Sequence, residues 1–191
     1  MAHQGSVVNC DPGAAKVGTR HWWPADHRYS PEDTVNNLSY ALATLAILGC
    51  AVTYGTDTFA AVVWRTSLRH LDERALTHLV GWVHYYGDRR LPVPGGLGMG
   101  LAVLSVIASA LAGRTEAALA GGVAVLALAA WMGIYLTIAK PVNEKFSAAA
   151  RAEQTLPDAR ELQARWDSVI NLRVAIQLIA ITGLCAQLFL P

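Results

Sequence analysis

The chain has 191 residues, 53% of them hydrophobic and only 15% charged, where an ordinary soluble domain carries about 25%. Its 15 Lys and Arg against 14 Asp and Glu give a net charge of +1, too little basic field to hold a nucleic-acid backbone. So apolar a chain has ample surface to bury, which excludes intrinsic disorder. Cys10, Cys50 and Cys185 lie far apart and form neither a C-x-x-C pair nor a disulfide framework.

Residues 1–37 read as a polar leader rich in Pro, Asp, His and Trp, without the basic and short apolar regions of a cleavable signal. The first apolar segment is therefore expected to direct insertion. Trp22 and Trp23, between His21 and His27, are expected to anchor at a membrane interface. From 38 to 64 the sequence is long and apolar enough for a first span, with Asp57 its one charge. Residues 65–90 mix charge with Leu68, Leu71, Leu76, Leu79, Val80 and Val83 in a helical rhythm, predicting an amphipathic helix outside the hydrocarbon.

Pro92 and Pro94 mark the entry to a second span at 95–113, in which Gly96 and Gly100 form a G-x-x-x-G pair suited to close helix packing. After a tight turn at Arg114, Thr115 and Glu116, a third span runs over 117–139 and is expected to stop at Lys140 and Pro141. A polar stretch follows to Arg165, with helices on either side of a turn at Leu156-Pro157-Asp158, and a fourth span covers 169–190. The expected fold is thus an all-α, polytopic membrane four-helix bundle over residues 38–191, with amphipathic helical connections between spans 1 and 2 and spans 3 and 4. Ten Lys and Arg fall in those two connections, against four in the leader and the Arg114 turn. The positive-inside rule therefore puts the connections in the cytoplasm and both termini outside, in an inner or plasma membrane.

Ionisable groups at membrane depth are expensive, by about 2.5–3.5 kcal/mol on insertion scales, so Asp57 and Arg173 need partners. They either pair with each other or serve a site. His84 and Asp88 are four apart and share a helix face, an arrangement that suits a carboxylate-oriented base or a metal ligand. His70 and His78 lie further up the same connection. If a metal is bound, His70, His78 and His84 are the candidate ligands, with His21 or His27 as additions. No H-E-x-x-H, P-loop, nucleophile elbow or dinucleotide fingerprint is present in its required context.

Pro141-Val142-Asn143 after the third span, Arg165-Trp166 before the fourth, and Asn171-x-Arg173 opening it resemble the anthrone-oxygenase-like (DUF1772) family of four-helix membrane proteins. Tyr85-Tyr86-Gly87 and Pro92 are compatible with the same pattern, so the resemblance covers roughly 38–190. The leader and Asp57 depart from it. The resemblance implies a polar site of Asn143, Trp166, Asn171 and Arg173, with Tyr86 as a further match, and a chemistry in which some relatives oxidise anthrones to anthraquinones. In that reading Asn143 and Arg173 stabilise an enolate oxygen, His84 is the base, and Asp88 orients it. Tyr86, Trp166, Asn171 and Asp57 would contact the substrate.

The expected function is therefore oxidation of a hydrophobic aromatic small molecule by a membrane-embedded oxygenase or oxidase in secondary metabolism, with the cofactor open between none and copper, iron or haem. One alternative is a non-catalytic subunit that binds a lipid, a quinone or a partner helix through Gly96/Gly100 and Ala117/Gly121, as a homo-oligomer or with another membrane chain. The other is a copper-, iron- or haem-dependent oxidase with histidine ligands.

Overall fold

In a computed structural model, residues 31–191 are described. They form helices α1 (Pro31–Phe59), α2 (Arg65–Ser67), α3 (Glu73–Arg90), α4 (Pro92–Leu111), α5 (Thr115–Ile134), α6 (Lys140–Arg151) and α7 (Ala159–Phe189). Two π-helical turns, Ala60–Trp64 and Tyr135–Ala139, join α1 to α2 and α5 to α6 without a break, and a 3-10 turn, Leu68–His70, follows α2. The tryptophans at 22 and 23, His21, His27 and Cys10 lie outside the described residues.

Among the described residues, four continuous helical stretches are long and apolar enough to cross a membrane: Asp33–His70, Pro92–Leu111, Thr115–Arg151 and Ala159–Phe189. The protein is therefore an all-α, multi-pass membrane protein. The spans close a ring in which α1 packs on α4 and α7, and α5 completes the ring against the same two helices. Outward-facing Leu48, Leu97, Leu119 and Leu126 stay more than half exposed, as a face solvated by lipid requires. Beyond one end of the ring, α3 packs against α6 and forms a cap.

The structure extends the helices beyond the apolar runs. α1 begins at Pro31, so the last part of the polar leader is helical. Proline fits a first turn because the N–H it lacks would be unpaired there. The third span does not end at Lys140 and Pro141. A π turn at Tyr135–Ala139 precedes α6, and Pro141 falls in the first turn of that helix, where its missing donor is tolerated. α7 likewise starts at Ala159, ten residues before the apolar run, which reduces the second connection to a short turn with Glu153 in the left-handed region at φ 56°.

Close approaches also differ from the G-x-x-x-G expectation. A Cβ at Gly96 or Gly100 would meet nothing within 4 Å. Contact between α1 and α4 instead uses Gly49 and Gly98, where a Cβ on Gly49 would lie 2.7 Å from the Pro94 oxygen and 2.8 Å from the Gly98 Cα. Ala117 is fully buried and Gly121 faces Gln187 of α7, so that small-residue face packs within the chain.

Two apolar cores result. The cap end packs Leu68, Leu76, Val80, Val142, Phe146 and Ile170. The other half of the bundle packs mostly small groups, including Ala46, Cys50, Ala102, Ala124 and Ala180, with Leu128 and Leu184. At the far end from the cap, buried Arg114 donates to the Ser39 hydroxyl at 2.8 Å and to the carbonyls of Gln187 and Leu190 at 2.9 and 2.8 Å. This ties the α4–α5 turn to the start of α1 and the end of α7.

Candidate functional site

At the cap end of the bundle, polar residues from several elements, Asp57, Asp88, Asn143 and Arg173 among them, gather beside a cavity of about 400 Å³. Its walls come from the ends of α1, α3, α4 and α5, from both π turns, and from α6 and α7. The volume suits a small organic molecule. π turns shift the side chains of a helix out of register and recur at functional sites. Here they carry Ala60, Trp64 and Tyr135 onto the cavity wall.

Asp57, 5% exposed at membrane depth, is held from three sides. Its carboxylate accepts from Arg173 Nη2 at 3.0 Å, from the Trp131 indole Nε1 at 3.0 Å and from Gln177 Nε2 at 2.6 Å. The Asp57–Arg173 ion pair across α1 and α7 answers the cost of both charges. The Arg173 guanidinium carbon also lies 5.4 Å from the Trp131 ring, 5.7 Å from Trp166 and 5.8 Å from Tyr135, inside cation–π range of all three.

A second cluster hangs from the cap. α3 is started by Asp72, whose side chain accepts from the Ala75 N–H at 2.7 Å, and Gly81 lets it press against Phe146 and Ala150 of α6. This docking brings Asp88 over the second π turn and α6, where it accepts from the Tyr135 hydroxyl at 3.0 Å and from Asn143 Nδ2 at 3.0 and 3.2 Å. Burial raises the pKa of the Asp88 carboxyl, an effect the bonds from Asn143 and Tyr135 oppose.

The expected His84–Asp88 relay is therefore replaced. Asp88 accepts from Tyr135 and Asn143, and His84 turns to Trp166, with ring centroids 5.7 Å apart. Burial, and then the Arg173 charge, push the His84 pKa down to about 4, so the imidazole on the cavity wall is neutral. Four buried polar atoms around the cluster have no hydrogen-bond partner among the described residues: Arg173 Nε, Trp166 Nε1, Asn143 Oδ1 and Gln177 Oε1. The first three belong to residues that line the cavity.

Of the residues singled out in the sequence, His84, Asp88, Asn143, Trp166, Arg173 and Asp57 converge on this cavity. Tyr86 and Asn171 do not. Tyr86 stacks on Trp82 at the surface of α3, 48% exposed, and Asn171 lies on the exposed side of α7, because two residues along a helix turn its side chain well away from Arg173. His70 is exposed on the 3-10 turn, and His78 sits six positions before His84 on another side of α3. Among the described residues no three His, Cys, Asp or Glu side chains come together to hold a metal ion. Trp131, Tyr135 and Gln177 belong to the site without having been expected there. An amide inside a fourth apolar run was the available signal for Gln177.

Comparison with known proteins finds no matching family model, no similar curated protein and no similar solved structure. The fold and the cavity thus define the class, a four-span membrane protein with a buried ion pair and an aromatic-walled pocket at one end, and function must be argued from that pocket.

Proposed function

We propose that this protein is a membrane-embedded oxygenase for a hydrophobic aromatic carbon acid, a tricyclic or polyketide-type ketone of the anthrone kind. The observation that carries the reading is the meeting, on one aromatic wall, of a neutral imidazole with two unpaired buried donors, Arg173 Nε and Trp166 Nε1. A buried donor without a partner is costly. A ligand carbonyl oxygen between the two would satisfy both.

In this reading His84 takes a proton from the activated methylene carbon, and the electron pair moves onto the carbonyl oxygen. Arg173 and Trp166 stabilise that oxyanion. The anion beside His84 raises the basicity of the imidazole as the charge forms. The enolate carbon reacts with dioxygen and, with one proton returned, gives a hydroperoxide. Loss of water then leaves a new C=O, one oxygen atom of O2 in the product and the other in water. Asn143, whose amide donors are turned to Asp88, offers Oδ1 as an acceptor for a ligand hydroxyl.

The test is Trp166→Phe, which keeps an aromatic ring on the wall and removes the indole N–H donor. With protein in lipid nanodiscs and an anthrone as substrate, product formation should fall about a hundredfold, the usual cost of one oxyanion donor, and His84→Gln should abolish it. Unchanged turnover in Trp166→Phe would overturn the assignment. Elemental analysis and an ultraviolet-visible spectrum of the same preparation separate this reading from the metal-dependent one, because a stoichiometric metal or a Soret band would move the chemistry elsewhere.

A further inference from the structure

The cavity is not sealed on all sides, and its opening has a chemical character of its own. Most of its wall is buried or half-buried, but Thr56, Phe59, Val83, Pro92 and Gly96 both line it and are exposed. These five come from the ends of α1 and α3 and the start of α4, so the mouth lies where α1 and α4 meet beneath the cap.

We propose that this mouth is a lateral portal through which a neutral, bilayer-dissolved molecule enters from the lipid, with Gly96 as its sill. The inference rests on the cavity being the binding site for such a molecule. The rim is flanked by Val52 of α1 and Val63 of the π turn that follows it, each 45% exposed, and on α4 by Val93 and Leu97, 62% and 61% exposed. These are the outward, lipid-facing sides of two spans. The one side-chain hydroxyl on the exposed rim, Thr56 Oγ1, gives its proton to the Val52 carbonyl of its own helix at 2.8 Å, and the other exposed side chains there, Phe59, Val83 and Pro92, are apolar. Inside, Asp57 neutralises Arg173 and the other carboxyl on the wall, Asp88, is held by Tyr135 and Asn143, so the cavity offers no unpaired cation to draw an anion from the aqueous phase.

The two adjacent glycines of α4 play different parts here. A Cβ at Gly95 would lie 2.9 Å from Thr53 Cγ2, so Gly95 serves the α1–α4 contact. A Cβ at Gly96 meets nothing within 4 Å, so Gly96 keeps open space at the mouth without being needed for packing. A large side chain there fits the fold and obstructs the portal.

The test is collisional quenching of tryptophan fluorescence in phosphatidylcholine vesicles, with a short bromoalkane dissolved in the bilayer. Three of the six tryptophans, Trp64, Trp131 and Trp166, line the cavity. In wild-type protein the bromoalkane should reach them through the mouth. Gly96→Phe should lower the lipid-phase quenching by up to about half, the ceiling set by three of six tryptophans, while Gly100→Phe, on the outer surface, should leave it intact. Equal quenching in wild type and Gly96→Phe would overturn the portal. So would a loss seen with aqueous iodide in place of the bromoalkane, which would show that the mouth faces water. The readout needs no substrate, so quenching that responds to Gly96→Phe in a protein that does not oxidise an anthrone supports the portal and counts only against the proposed chemistry.

Discussion

Asp57 shows at the scale of one residue how the site is held. Its carboxylate satisfies three donors from two other helices, and its charge is what allows Arg173 to sit 5% exposed among aromatic rings. Asp57→Asn preserves the shape but strands the guanidinium, and removal of one member of a buried pair costs about 3–5 kcal/mol. The expected result is a matching loss in denaturant titrations in detergent, with much of it recovered in Asp57→Asn/Arg173→Gln. A double variant no more stable than the single one would show that the pair is not the source of the loss. His84 provides a second check through its pH dependence. Its folded pKa of about 4 lies below the ordinary 6.5, so the unfolded chain binds the proton first, and stability should fall as pH drops from 6.5 towards 4. His84→Phe should flatten the pH dependence of thermal unfolding in that interval, and the acid limb of wild-type turnover should lie near pH 4 rather than near 6.5.

Among the elements, the cap depends on α3 and α6 coming very close. A Cβ on Gly81 would run into the Phe146 carbonyl and the Ala150 side chain. Gly81→Ala should therefore cost about 1–3 kcal/mol through overpacking and loosen Asp88 from Tyr135 and Asn143. The loss is read from the unfolding midpoint, and the loosening from faster exchange of the α3 amides. The elements also show where the sequence was legible. All four apolar runs became spans, since hydropathy over a bilayer's thickness is a strong signal. Helix ends were not legible from the same signal, because Lys140 and Pro141 look like a stop unless a π turn precedes them. Such turns depend on the packing of neighbouring helices and leave no periodicity in the local sequence.

For the whole molecule, both long helical extensions and α3 lie at one end, and the Arg114 turn lies at the other. A cysteine replacing Gln154 and one replacing Glu116 should therefore react with a membrane-impermeant thiol reagent from opposite faces of sealed vesicles, each in a background without the native cysteines. Labelling of both from one face would contradict the four-span topology. The convergence of the site belongs to this scale too. Asp57 and Arg173 are 116 positions apart, and their charges at membrane depth marked both in the sequence. Trp131 and Tyr135 carried no such mark, since an aromatic residue late in a span reads equally well as an interface anchor or as core. Tyr86 and Asn171 failed for the converse reason, because nearness in sequence to a site residue does not fix the face of a helix.

The bolt that Arg114 makes with Gln187 and Leu190 bears on how the chain is born. Synthesis runs from the N-terminus, so three spans leave the ribosome carrying Asp57 and Arg114 before α7 exists to answer either. Until the last helix arrives, Asp57 has only the Trp131 indole and Arg114 only the Ser39 hydroxyl of their final side-chain hydrogen-bond partners. The nascent protein is therefore most exposed to quality-control proteolysis in the interval before α7 inserts, and that single helix completes both ends of the bundle at once.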